Sequence, residues 1–525
     1  MKTTLLNQGW LRLGWLRLGL ICAAMQFAVA AGSSAQVNAQ VQAKGPVQDS
    51  SSVQASAPAP VQIAFTASAA PVAALTVAKN STATAPAGAS ATASPAPRPS
   101  WKDGDYISGD WDGLRTSLMR HGISPFVYWT GLSSGNPLGG EHQGHMTAVD
   151  DFYMGVSIDP GKFSGWHNAT ITISGVNRDG RGLTNNYIAP GLPTAYNSQQ
   201  CVGGQSLFFY ELVLKQLLDN GKITLKAGRF SASDDLNASP IYSYYLNNGI
   251  DGDIRNILFD TQSSAYPFST WAGLAKFKPN DKFLFQAGVY QTWDNIFQSY
   301  TNGTDWTIHP DDGVIYMEQA AWTPMLFKKS AASQPGGAQT AGLPGHYWLG
   351  STYTPWKGFE TFREQLHLYY RPHATPVKVG DSYGFYAHAD QMVHQKFPGS
   401  TQGLTLWAAS AYYPQQSISV VPFQLNAGAI YKGLWQKRPE DRTIFGLIYG
   451  KYSRDYAHMI RHENHGNRTK DRWNPRYELV LEGGHRFQLS RFAFFQPDIQ
   501  WDVRPGGVGS IPNAIVAGAE AGITF

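Results

Sequence analysis

The last eleven residues constrain the fold more than any other stretch of this chain. Ile515, Ala517, Ala519, Ala521, Ile523 and Phe525 share one parity, and Val516, Gly518, Glu520, Gly522 and Thr524 share the other. A period of two marks a strand with two different faces. One face is wholly apolar and suits hydrocarbon. The other carries a carboxylate and suits a water-filled interior.

The same alternation recurs upstream. Phe208, Tyr210, Leu212 and Leu214 alternate with Glu211 and Lys215, which places the first four on the apolar wall. Ile223, Leu225 and Ala227 alternate with Thr224 and Lys226. Phe283, Phe285, Ala287 and Val289 alternate with Gln286, Gly288 and Tyr290; Leu479 and Leu481 alternate with Glu478, Val480 and Glu482. A charge on a lipid-facing wall is costly, so Glu211, Lys215, Glu478 and Glu482 are expected to face inward. From Trp101 onward no apolar run is long enough for a spanning helix. Charged residues make up only 15% of the chain and aromatics 13%, whereas a soluble chain averages about 25% charged. A terminal aromatic on an alternating strand resembles the signal by which bacterial outer-membrane barrels are recognised for assembly. The expected fold is all-β: a transmembrane antiparallel up-and-down β-barrel occupying residues 101–525. At about ten residues per strand plus turns, that stretch holds about sixteen strands.

The N-terminus reads as a signal peptide over residues 1–30. Lys2, Arg12 and Arg17 precede an apolar run from Leu18 to Ala30, and Ala28-Val29-Ala30 forms a small-x-small cleavage site. Cys22 follows Ile21, which argues against lipoprotein processing. Removing the leader's three cations leaves 38 of the 41 basic residues against 37 acidic ones. So even a balance gives no footprint for nucleic acid. It also leaves Cys201 as a single cysteine, with no partner for a disulfide. Residues 31–100 are rich in Ala, Ser, Pro and Gln and carry only Lys44, Asp49, Lys79 and Arg98 as charges. They lack the periodic apolar residues that form a core and read as a disordered periplasmic linker. Two later segments break the alternation. Residues 111–122 read as a short N-terminal helix ending at Gly122, and residues 331–345 as a flexible Ala/Gln/Gly/Pro-rich loop.

Several motifs, in order, resemble the carbohydrate-selective porin (OprB) family. They begin with Gly109-Asp110-Trp111-Asp112-Gly113-Leu114-Arg115, then Glu211-Leu212-Val213-Leu214-Lys215-Gln216 and Ala227-Gly228-Arg229. Tyr266-Pro267, Gln286-Ala287-Gly288-Val289-Tyr290, Tyr477-Glu478, Gln496-Pro497-Asp498-Ile499-Gln500-Trp501 and Arg504-Pro505-Gly506-Gly507 follow, and the terminal strand closes the series. The resemblance spans residues 105–525 and is weaker between Pro310 and Arg461. It implies a sixteen-stranded outer-membrane barrel that passes monosaccharides such as glucose by passive diffusion. The implied partners are those solutes, outer-membrane lipid, and the assembly machinery acting through the strand that ends at Phe525. A homotrimer is left open.

A sugar pore needs a polar constriction that binds weakly enough to release its solute. Strand parity and the resemblance together nominate Glu211, Lys215 and Lys226. Arg229 has the parity of Leu225 and joins them because it leads into a polar loop. Arg178 and Arg181 lie in an Asn-Arg-Asp-Gly-Arg-Gly segment able to fold inward. Trp271, Trp293, Trp407 and Trp501 fit a girdle better than sugar stacking. His458, His462 and His465 read as loop surface rather than a metal site, and neither cofactor nor metal is expected. The alternatives are a barrel enzyme of lipase or protease type and a general porin for other small solutes. No persuasive His/Ser/Asp grouping supports the enzyme. An energy-coupled receptor needs a folded plug, which residues 31–100 lack the large apolar residues to form.

Overall fold

A computed structural model describes residues 104–192, 196–201, 203–293, 296–297, 299–327, 342–371, 375, 377–465 and 473–525. The expected leader and linker lie outside the described residues, as do residues 331–341 of the expected loop. The rest of that loop is strand by Leu343.

Sixteen long strands follow one another around a closed antiparallel sheet. They are β1 (Ile123–Leu138), β2 (Met146–Ile158), β3 (Ala169–Gly180), β4 (Gln205–Leu218), β5 (Ile223–Phe230), β6 (Thr270–Asn280), β7 (Phe283–Thr292) and β8 (Gly313–Trp322). Then come β9 (Leu343–Thr354), β10 (Ser382–Gln395), β11 (Gly403–Tyr412), β12 (Phe423–Lys432), β13 (Arg442–Lys451), β14 (Tyr477–Gln488), β15 (Ala493–Val503) and β16 (Ala514–Thr524). Each pairs with its neighbours in sequence. β16 returns to β1 in a register running from Tyr128 opposite Thr524 to Leu138 opposite Ile515. Closure leaves the ladder without an edge, as hydrocarbon requires.

The connections alternate in length. At the end where residues 104–122 and Phe525 lie, several are short, such as 219–222 and 281–282; at the opposite end 181–204, 231–269, 355–381 and 452–476 are long. The outer wall is apolar and carries aromatics near both ends. Tyr353, Tyr383, Tyr412, Tyr477 and Trp501 are exposed toward the long connections, and Phe283, Trp322, Phe445 and Phe495 toward the short ones. One polar exception is Glu318 on β8, whose carboxylate accepts a 2.9 Å bond from Ser351 Oγ on β9.

Parity assigns the faces of β16, β14, β7 and β5 as expected: Val516, Glu520, Glu478, Glu482 and Gln286 are all buried inside. β4 departs from expectation. Its register with β3 steps from Ser174 opposite Glu211 to Gly175 opposite Phe209, a bulge that leaves Tyr210 as the extra residue. A bulge reverses parity along one strand. Phe208 and Tyr210 therefore face inward with Glu211, and are buried against Tyr266 and Phe268 instead of facing lipid.

The inner wall holds the longest connection. Along residues 231–269, Asn237 N donates to Gln319 (3.0 Å), Leu246 N to Glu482 (2.5 Å) and Asn256 N to Gln424 (2.8 Å). Gln496 Nε2 and Gln500 Nε2 on β15 reach the carbonyls of Tyr244 and Ser198. A buried polar atom left unpaired costs about 1–3 kcal/mol, so each contact satisfies both partners. Tyr242, Tyr245, Ile250 and Ile257 from the same segment pack with Trp407, Ile444 and Ile448 of the wall.

A 3-10 turn at Trp111–Gly113 and helix α1 (Leu114–Arg120) fulfil the expected N-terminal helix. Gly122 follows at φ +84°, where a side chain would be strained. Arg115 from α1 is buried beneath the barrel's end. Its guanidinium donates to Phe525 O (3.0 Å) and Ser108 Oγ (3.0 Å) and lies 3.8 Å from the Tyr106 ring centroid. Arg115→Ala is expected to lower barrel stability by about 2 kcal/mol, the usual worth of a hydrogen bond to a charged group. A lower transition temperature in heat-modifiability gels checks it.

Candidate lumen site

With the long segment packed along β7 to β15, the polar groups left nearest open lumen lie on β2 to β6. Alternation brings Tyr153 (β2), Glu211 and Lys215 (β4), Lys226 (β5) and Lys276 (β6) to the inner wall, because each shares the parity of a neighbouring inward residue. Residues just after β5 supply two acids, Asp234 and Asp235. They sit in a 3-10 turn capped by Ser231, whose hydroxyl accepts from Ser233 N while Asp234 bonds back to Ser231 N.

The contacts fall into two adjacent groups, joined in sequence at Tyr210-Glu211. Glu211 Oε2 accepts from Tyr153 OH at 2.7 Å and Ser174 Oγ at 2.8 Å. Lys226 Nζ is 2.8 Å from Asp235 and 3.8 Å from Asp234. Lys276 Nζ is 2.7 Å from the other oxygen of Asp235. Tyr210 OH donates to Asp234. Lys215 is exposed, stands opposite Lys226 in register, and makes no ion pair among the described residues. Phe126, Tyr128 and Tyr153 continue this face as half-buried rings, with Tyr128 and Tyr153 stacked at 6.1 Å. On the inner segment, outside the strands, burial pushes the Asp234 carboxyl up to about 7 against the pull of Lys226. Burial acts to raise Asp235 too, but Lys226 and Lys276 overcome it and hold that carboxyl below the usual range.

The six nominated residues do not form one group. Glu211, Lys215 and Lys226 come together. Arg178 lies behind them, fully buried, donating to Asp151 Oδ2 through Nε (3.0 Å) and Nη2 (2.9 Å). Its guanidinium stands 4.6 Å from the Tyr266 ring, and Tyr266 OH bonds the same carboxylate. Arg181 is exposed at the strand's end, tied by its backbone to Ala148. Arg229 keeps the outward parity of Leu225, and the loop after it does not turn it inward. It is buried on the outer side of the wall, donating to Asp305 O and Ser269 O at 2.9 Å each. Trp271 joins the same cover, its indole N–H bonding Trp306 O. Trp501 is outward and exposed, whereas Trp407 points inward and donates to Tyr245 OH. His458 and His462 sit one helical turn apart where sequence suggested loop, on α4 (Arg454–Glu463), which follows α2 (Asn256–Thr261) and α3 (Phe362–Tyr370) in chain order.

Reasoning from sequence missed Tyr153, Asp234, Asp235 and Lys276. Tyr153 was findable: it follows Asp151 in an alternating run. The Asp234-Asp235 pair follows the strand end directly, but its inward turn depends on Lys226 and Lys276, which lie apart in sequence.

This face offers ammonium and phenol donors beside carboxylate acceptors within hydrogen-bonding distance of one another. Such a mixture suits a neutral polyol, whose hydroxyls both give and accept. No group of three or more His, Cys, Asp or Glu able to hold a metal occurs among the described residues. Residues 144–525 match the family model described as carbohydrate-selective porin, OprB family. Porin B of Pseudomonas aeruginosa is 26% identical over 80% of this chain and 91% of its own. A putative porin, QuiX, of Acinetobacter baylyi is 25% identical over 81% of this chain and 94% of its own. A high-pH structure of Pseudomonas putida OprB superposes with a TM-score of 0.71 at 24% identity, covering 81% of this chain and 99% of that one, which speaks for the fold alone.

Lys215→Glu is expected to raise the cation-to-anion permeability ratio about threefold, the effect of roughly 1 kT of local potential. The zero-current potential across a KCl gradient measures it.

Proposed function

The chain belongs to the OprB family of carbohydrate-selective porins, and from that premise we propose that it passes monosaccharides such as glucose down their gradient across the outer membrane of a Gram-negative bacterium. The observation that carries this reading is the polar face of Glu211, Lys215 and Lys226, to which the inner segment adds Asp234 and Asp235 and on which Lys215 stays exposed. A hexose entering there exchanges water for carboxylate acceptors and ammonium donors. The half-buried rings of Tyr128 and Tyr153 offer flat apolar surface to the C–H faces of the sugar. Because Glu211 and Lys226 already have protein partners, the net gain is small, and a weakly held solute leaves as easily as it arrives.

Arg178 serves this face indirectly. It fixes Asp151 and Tyr266, and Tyr266 packs edge-on to Tyr153 at 5.7 Å. Arg229 anchors the outer cover and has no part in solute contact. Recognition of β16 by the barrel-assembly machinery belongs to the same proposal.

The test is single-channel conductance in a planar bilayer with added glucose. Saturable block is expected. Glu211→Gln should raise the half-blocking concentration about three- to tenfold, as loss of a charge-assisted hydrogen bond to a solvated ligand does. Arg229→Ala should leave block unchanged. Stable steps that glucose never reduces would point to a porin for other solutes. Absence of steps from a folded barrel, with hydrolysis of lipid or peptide, would favour the enzyme.

A further inference from the structure

A cavity of about 410 Å³ opens where β13 and β14 leave the wall toward the long connections. Lys451, Arg454, His458, Arg461 and Arg476 line it, and among the described residues no carboxylate does. Lys451 and Arg454 come from the end of β13 and the start of α4, Arg461 from one turn past His458, and Arg476 from the residue before β14. Asp455 lies on the same helix but is not among the lining residues. The site is rigid. Ser453 caps α4 by accepting from Asp455 N and Tyr456 N. Helix α3 (Phe362–Tyr370) braces it, with Tyr369 OH and Tyr370 OH bonding the carbonyls of Glu463 and His462.

Its height on the wall identifies its environment. Ile448 is buried inside, so Tyr449 and Lys451 share the outward parity. Lys451 stands opposite Tyr477 in register, and Tyr449 stacks on Tyr477 at 6.0 Å. Those two rings, with Trp501, belong to the aromatic girdle that marks the edge of the hydrocarbon. Arg504 extends the cationic side, its guanidinium 4.8 Å from the Tyr477 ring. The cations therefore begin where the girdle ends, at the level of lipid headgroups and on the side that lipid reaches. Four full charges gathered without a counter-charge among the described lining residues repel one another, and guanidinium groups match phosphate oxygens two bonds at a time.

We propose that this cavity binds the phosphate groups of a phosphorylated lipid in the outer leaflet. The assignment depends on membrane orientation and not on which solute the pore passes, so it can fail while the pore reading stands, and the reverse. Purified barrel in nanodiscs containing diphosphoryl lipid A, or its dephosphorylated form, is analysed by native mass spectrometry for retained lipid. The phosphorylated form should be retained and the dephosphorylated form lost. Arg454→Gln/Arg461→Gln should cut retention about tenfold, as expected when bidentate phosphate contacts are removed, with single-channel conductance unchanged. Lys451→Gln/Arg476→Gln, on other segments, should do the same, and heat-modifiability establishes that each barrel is folded. Millimolar inorganic phosphate should not displace the lipid. Equal retention by the folded variants, equal retention of the dephosphorylated lipid, or displacement by inorganic phosphate would each overturn the proposal, the last by making this a free-anion site.

Discussion

A backbone N–H or C=O left unpaired in hydrocarbon costs several kcal/mol, and this penalty organises the whole molecule. It demands that β16 find β1, and that the sheet have no edge. It also forces two solvents onto each strand, lipid outside and water or protein within. Alternation of residue type is the result. The outward set needs only to be apolar, with aromatic rings near the two interfaces. The inward set must satisfy whatever fills the lumen.

What fills it is mostly the chain itself. Glu482, Gln424, Gln496 and Gln500 would read as lumen lining for water, yet each is committed to the backbone or side chains of inward-folded connections. The interior is thus divided. From β7 to β15 the wall is joined to residues 231–269 by paired polar groups and packed aromatics. Along β2 to β6 the same segment reaches the wall through Asp234 and Asp235, which pair Lys226, Lys276 and Tyr210, while Lys215 stays exposed.

Much of this was legible in sequence because parity is local. The faces of β16, β14 and β7 follow from residue type alone. So does the helix ending at Gly122, since Gly is suited to the positive φ found there. The exceptions share a cause: each depends on a partner distant in sequence. Phe208 and Tyr210 face inward because of a bulge set by pairing with β3, which no alternation count reveals. Arg229 stays outside because residues near Asp305 cover it. Arg178 reads as a free cation on a loop, but Asp151 on the neighbouring strand neutralises it. A helix carrying His458 and His462 was hidden by their short, polar surroundings, and its capping Ser453 was the available signal.

The attachment of residues 231–269 to late strands bears on how the channel matures. Leu246 finds Glu482 across a sequence separation of 236, and Asn247 finds Gln500 across 253. Contacts of such separation form late, because loop-closure entropy must be met before they stabilise anything. Until β14 and β15 arrive, no acceptor exists for these amides, and the segment has nothing to hold it against that side of the wall. The calibre of the pore is therefore among the last properties the chain acquires, and a barrel halted short of closure would be less selective as well as incomplete.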